Sequence, residues 1–213
     1  MIWFIRTVTS SIGKKLLMAI TGLIFCSFLA FHLIGNLMIY GGKNAFNGYS
    51  ERLHSLGLLV NAVEVGLLVC ALIHIFFAAL LYFENLRARP VGYAMKKGAG
   101  GQTISSRIMP YTGLYLLVFV IIHLFTFHFV EKTDHGIYQI VSGVFSRPAY
   151  VLFYIFSMAV AFFHIKHGFW SAFQTIGANH PKYMPFIRGI SLIFSLIVGV
   201  VFGSVPLFMF LST

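Results

Sequence analysis

Read as a pattern of hydrophobic and polar positions, the chain falls into five long runs with almost no charge, joined by short polar connections. The runs extend over about Lys14–Tyr40, Asn61–Glu84, Met109–Val130, Ala149–Phe173 and Gly189–Leu211. A helix needs about 20 apolar residues to cross the hydrocarbon core of a bilayer, whereas a barrel strand needs about 10 and alternates. These runs are continuous and exceed 20 residues, so they predict spanning helices over about 14–41, 61–85, 108–130, 149–175 and 187–211. The third is expected to begin behind a break at Pro110, and the fourth follows Pro148. The fold expected is an all-α integral membrane protein, a single membrane domain over residues 1–213.

Two connections carry a pattern of their own. Between the first and second runs, Phe46, Tyr49, Leu53, Leu56 and Val60 recur at helical spacing. They predict a short amphipathic helix over about 44–59, lying on the outer interface. Between the second and third runs, the stretch Arg87 to Arg107 is basic and contains Gly98, Gly100 and Gly101. It reads equally as a docking loop for a soluble partner and as an ordinary positively charged loop. No low-complexity tract and no clear internal repeat stands out.

Lys and Arg concentrate on one side of the predicted membrane, and that side faces the cytoplasm by the positive-inside tendency. With the N-terminus inside, the inner connections hold ten: Arg6, Lys14, Lys15, Arg87, Arg89, Lys96, Lys97, Arg107, Lys182 and Arg188. The outer ones hold four: Lys43, Arg52, Lys132 and Arg147. Lys166 lies within the fourth run. The expectation is an inside N-terminus and an outside C-terminus.

Composition narrows the class. Of the 213 residues, 59% are apolar and 9% are charged, against about 25% charged in soluble domains. The mean hydropathy is +0.89. Such a chain can neither coat a water-soluble globule nor remain disordered. The connections leave no room for an extramembrane catalytic domain, so any soluble chemistry would come from partner subunits. The net charge of +10 sits beside apolar spans, which points to lipid and topology rather than nucleic acid. Cys26 and Cys70 lie inside apolar runs without metal-ligand spacing and read as packing residues. The first run is too long for the apolar core of a cleavable signal, so none is expected.

Histidine carries the chemistry. Nine are present: His32 in the first run, His74 in the second, His123 and His128 in the third, His164 and His167 in the fourth. An ionisable group at membrane depth is costly and marks function. For any one of them, a hydrogen-bonded structural role is the commoner explanation; one in each of four successive spans is harder to set aside. At 1.5 Å of rise per residue, His32 and His123 lie about 27 and 24 Å from the inner side. His74 and His164 lie about 20 and 22 Å from the outer side. The four therefore sort into an outer pair, His32/His123, and an inner pair, His74/His164. No carboxylate accompanies them to complete a zinc site, whereas iron in a porphyrin needs only two axial ligands. Two stacked b-type haems in a four-helix bundle are expected, with Gly35 and Gly168 letting a flat ring approach. His167, three residues from His164, is an alternative ligand. His54, His135 and His180 fall in connections.

His32-x-x-Gly35-Asn36, His74, His123 and His164-x-x-x-Gly168-Phe169-Trp170-Ser171 together resemble the membrane anchor of succinate:quinone oxidoreductases. Ser11-Ile12-Gly13-Lys14-Lys15 and the run from His167 to Gln174 add to the likeness. The closer similarity is to the single-chain, five-helix, dihaem cytochrome b subunit of fumarate reductases and succinate dehydrogenases. It covers essentially the whole chain and rests on order and spacing rather than on one motif. The resemblance implies two haem b groups, menaquinone, and residence in the cytoplasmic membrane of a bacterium. It also implies a flavoprotein subunit with covalent FAD and an iron-sulfur subunit on the inner face, where the dicarboxylate chemistry takes place. Menaquinol would be oxidised near the outer haem, and electrons would pass inward to the iron-sulfur subunit, or the reverse.

Quinol oxidation requires a proton acceptor, and the chain has five acids: Glu51, Glu64, Glu84, Glu131 and Asp134. Glu51, near His54 on the amphipathic helix, and Glu64, a turn inside the second span, are the candidates. Glu84 is expected to pair with Arg87. His54, Lys14, Arg107, Lys166 and His167 are candidates for quinone or haem propionate contacts. Some members of the resembled group carry a glutamate two residues before the fourth-helix ligand; here that position is Phe162, a departure that puts such a proton path in doubt. Two other readings stay open: the dihaem anchor of another respiratory dehydrogenase or hydrogenase, and a transporter without haem.

Overall fold

The computed structural model describes residues 6, 7, 9–88, 104–130 and 136–212. Arg89, Lys96, Lys97, Gly98, Gly100 and Gly101 of the basic connection lie outside the described residues, as do Glu131, Lys132, Asp134 and His135.

Helix α1 is Ser11–Leu37, followed by a 3-10 turn, Met38–Gly41, and by α2, Gly42–His54. Helix α3 is Leu58–Arg87, and α4 is Ile104–His123, extended by a π-helical turn over Leu124–His128. Helix α5 is Ile137–Phe145, α6 is Pro148–Thr175 and α7 is Met184–Leu211. No strand occurs among the described residues. Five helical stretches are long and apolar enough to cross a membrane: α1 with its extension, α3, α4 with its π turn, α6 and α7. The chain is a multi-pass membrane protein. Leu68, Leu72 and Phe76 of α3, Leu114 of α4 and Phe125 of its π turn are exposed, a belt that water would not tolerate and lipid does.

Local chemistry sets the ends. Ser10 caps α1, its hydroxyl oxygen accepting from the Gly13 N–H at 3.0 Å. Pro148 opens α6, where its missing N–H costs nothing. Gly177, with φ +97°, ends α6, and the Ala178 N–H returns to the Phe173 carbonyl at 2.9 Å. Pro110 does not break the third span: α4 begins six residues earlier and runs through it. A helix interrupted in hydrocarbon strands several polar backbone groups, whereas a proline within an intact helix forfeits one bond. The amphipathic helix ends at His54, because Gly57, with φ +51°, turns the chain into α3.

Helices α6 and α7 form the most extensive contact. Ser191, Ser195, Gly199 and Gly203 recur every fourth residue along α7, and both serines are fully buried. Small residues let two backbones approach where no hydrophobic drive exists between helices. A Cβ on Gly199 would lie 3.3 Å from the Phe162 Cβ. Helix α1 packs against α3 and α6, and α4 packs against α6, while α3 and α4 barely touch. The four helices therefore surround a shared space, with α1 opposite α4 and α3 opposite α6.

One end of this bundle, here the far end, is closed by α2 and α5. Tyr138 N–H donates to Asn47 Oδ1 at 3.0 Å between them. Ile39, Phe46, Val141, Phe145, Tyr154 and Met209 make the apolar core there. Helix α5 is not among the elements expected from the pattern. Its signal is Ile137, Ile140, Val141, Val144 and Phe145 at helical spacing, compressed into nine residues.

Candidate functional site

His32 of α1 and His123 of α4 meet across the diagonal of the bundle toward its far end. Their ring centres are 6.1 Å apart and their planes are nearly perpendicular, at 85°. Phe28 stacks on His32 at 5.2 Å, and Phe202 of α7 flanks it at 5.4 Å. Phe119, Phe127 and Tyr154 surround His123. The Tyr154 hydroxyl lies 3.4 Å from His123 Nδ1, and Asn36 Nδ2 lies 3.5 Å from His32 Nε2. Both contacts are at the long limit of hydrogen bonding. The pair is held mainly by aromatic packing.

His74 of α3 and His164 of α6 lie on the other diagonal, nearer the end where α1 begins. Each packs against a Thr-Gly step of the adjacent helix. His74 Nδ1 lies 3.2 Å from Thr21 Oγ1 and 3.1 Å from the Met18 carbonyl. His164 Nδ1 lies 3.1 Å from Thr112 Oγ1. A Cβ on Gly22 would sit 3.3 Å from His74 Cε1, and a Cβ on Gly113 would sit 3.3 Å from His164 Cε1. Gly22 and Gly113 let a helix backbone approach an imidazole. Gly35 serves another contact: a Cβ there would overlap the Tyr49 ring of α2, at 2.7 Å. Beside Gly168 only Met109 Cε comes within reach, at 3.9 Å.

Neither threonine is among the residues expected from the sequence, yet the sequence contains their signal. Thr21-Gly22-Leu23 precedes His32 as Thr112-Gly113-Leu114 precedes His123, with eight residues between Leu and His in both. This is an internal repeat of short motif and fixed spacing. Eleven residues separate Thr from His in each copy, so the two levels are about 16 Å apart along the helix.

The remaining candidates scatter. Lys14 forms an ion pair with Glu84, which ties the start of α1 to the end of α3. Glu84 is thus partnered across the bundle rather than with Arg87, because the antiparallel helices bring those two ends together. Glu64 Oε1 of α3 lies 3.8 Å from His128 Nδ1. Glu51 is exposed on α2. His54 Nδ1 is bonded back to the Ser50 carbonyl at 2.7 Å. The Lys166 ammonium lies 5.6 Å from the Phe162 ring centre. His167 packs edge-on to Trp170 at 5.0 Å, and the Arg188 guanidinium lies over the Trp170 ring, 4.8 Å from its centre. The His167 Nδ1 is buried without a hydrogen-bond partner among the described residues. His180 accepts from the Lys182 N–H at 3.1 Å. Arg107 is exposed near the start of α4.

The donor set of the two pairs is imidazole alone. No cluster of three or more His, Cys, Asp or Glu side chains capable of holding a metal occurs among the described residues. A metal bound by both rings of a pair at about 2 Å from each nitrogen requires ring centres about 6 Å apart, and the far-end pair meets that distance. A donor set of two imidazoles and no carboxylate fits iron in a porphyrin better than a tetrahedral ion, which takes four protein ligands or three and a water. No protein-family model matches the chain, and comparisons with curated proteins and with solved structures found no match.

Proposed function

We propose that this chain is a dihaem cytochrome b membrane anchor of the succinate:quinone oxidoreductase type. The reading rests on one observation: two histidine pairs, each drawn from opposite helices of one bundle, stand at two levels along it. A haem b at each pair would supply one-electron transfer between a membrane quinol and a partner's iron-sulfur subunit. His32 and His123 would hold one group, and His74 and His164 the other. Phe28, Phe119, Phe127 and Phe202 would exclude water around the first.

The far end, closed by α2 and α5, is the outer side in this reading, and the Lys- and Arg-rich end faces the cytoplasm. Glu64 and His128 lie toward the far end. Their side chains are 45% and 44% exposed, open enough for a quinol hydroxyl to reach. The carboxylate and the imidazole are the acceptors we assign to its two protons. Partner flavoprotein and iron-sulfur subunits would dock at the cytoplasmic end, and menaquinone is the quinone implied by the resemblance.

The test is a pyridine haemochrome assay with a stepwise redox titration on the purified chain. Two b haems per chain, reduced in separate steps, are expected. A colourless protein that stays colourless when supplied with haem would remove the electron-transfer reading and leave a transporter in front.

A further inference from the structure

The near-end histidines are not merely close to threonines; the hydrogen-bond directions decide where their protons sit. A carbonyl can only accept, so the Met18 carbonyl at 3.1 Å requires a hydrogen on His74 Nδ1. The Thr21 hydroxyl has its own hydrogen directed at the carbonyls of Leu17, at 2.8 Å, and Met18, at 3.1 Å. Its oxygen is then left to accept from the ring. Thr112 repeats the arrangement, with Ile108 and Met109 carbonyls at 3.1 and 3.0 Å taking the hydroxyl hydrogen. With the hydroxyl hydrogen on one of these carbonyls, His164 Nδ1, at 3.1 Å, donates to Thr112 Oγ1. In both rings Nδ1 carries the hydrogen and Nε2 keeps its lone pair.

We propose that Thr21 and Thr112 are positioning residues which lock His74 and His164 in the Nδ1–H tautomer and present both Nε2 atoms to one metal centre. This rests on the proposed haem-binding function. The threonine does to the ring what an outer-shell partner does at other metal sites: it fixes tautomer and orientation and makes the ligating nitrogen more basic. A more basic ligand favours the oxidised metal. The Thr-Gly step combines two tasks in adjacent residues: the hydroxyl holds the ring, and the missing Cβ of Gly22 or Gly113 admits it. The two sites are not equivalent. His74 keeps the Met18 carbonyl if Thr21 is lost, whereas Thr112 is the one acceptor found for His164 Nδ1 among the described residues.

The experiment compares Thr112→Val, Thr112→Ser, Thr21→Val and wild type as purified full-length chains loaded with haem. The readouts are haem content, the potential of each step in an optical titration, and ¹⁵N chemical shifts of labelled histidine in the haem-free chain. Expected are an upward shift of one haem potential in Thr112→Val, a smaller one in Thr21→Val, and a wild-type potential in Thr112→Ser. The ¹⁵N shifts should report Nδ1–H for both rings in wild type and loss of that preference for His164 in Thr112→Val. Loss of haem from Thr112→Val, restored by Thr112→Ser, would support the same role. Unchanged potentials and tautomers in Thr112→Val at full haem content overturn the proposal while leaving the haem reading intact. Failure of both Thr112 variants to hold haem would also overturn it, since packing and not the hydroxyl would then be at work. A wild type that binds no haem defeats the function instead, and the ¹⁵N shifts still decide the tautomer.

Discussion

At the scale of single residues, several polar groups are partnered by a residue of another helix. Lys14 shows the pattern. Its side chain is 13% exposed and its partner Glu84 is 40% exposed, so the pair is half withdrawn from water. Removing one member leaves a poorly solvated charge, which costs more than the pair contributes. Partial exposure of Glu84 moderates this, and Glu84→Gln should destabilise the chain by about 1–2 kcal/mol. Lys14→Met combined with Glu84→Gln should recover most of that loss. Thermal unfolding in detergent of the two singles and the double checks both statements; an additive double would show that the pair is not coupled.

At the scale of elements, the π turn at the end of α4 is the feature with a consequence for chemistry. The Phe129 N–H bonds to the Leu124 carbonyl at 2.9 Å, five residues back. In an α-helix, His128 would lie about 140° around the axis from His123. The wider turn brings positions five apart close to one face, and His128 thereby meets Glu64 of α3. If these two accept quinol protons, Glu64→Gln should slow reduction by a soluble quinol analogue by tenfold or more, the order of a lost general base. The haem spectra and haem content should be unchanged. A rate equal to wild type would place the proton acceptor elsewhere. Helices α1 and α4 share the Thr-Gly-Leu step and the histidine eleven residues after Thr. That is why each contributes one far-end ring and one seat for a near-end ring.

At the scale of the whole molecule, the two levels are built from different helix pairs and should be separable. His32→Ala with His123→Ala removes both rings of one level and none of the other. His74→Ala with His164→Ala does the converse. Each double variant should retain one haem per chain, and the two retained haems should titrate at the two potentials of the wild type. The small-residue stripe of α7 that packs on α6 contains none of the four histidines and should keep the variants assembled in the membrane. Loss of both haems from either variant would mean that the levels fold as one unit. The bundle also explains why the four diagonal histidines are more informative together than singly: α1 and α4, and α3 and α6, stand opposite each other across a shared space.

How much of this was legible follows from which direction each property runs. Position along a helix axis is a one-dimensional quantity, readable from residue counts and the 1.5 Å rise. The five apolar spans therefore follow from the sequence alone, because the lipid requires long uncharged helices whose backbone groups are satisfied internally. The approximate depth of each histidine is a count of the same kind. Lateral position is different. The spans are apolar on nearly every side, so no hydrophobic face marks which side turns inward. Tertiary packing alone set His74 against Thr21 and Gly22, His164 against Thr112 and Gly113, Glu84 against Lys14, and Tyr49 against Gly35. In each case a small residue or a hydrogen-bonding atom on one helix meets a group distant in sequence. Such a contact depends on rotation about the helix axis, which uniform hydrophobicity leaves open and close packing decides.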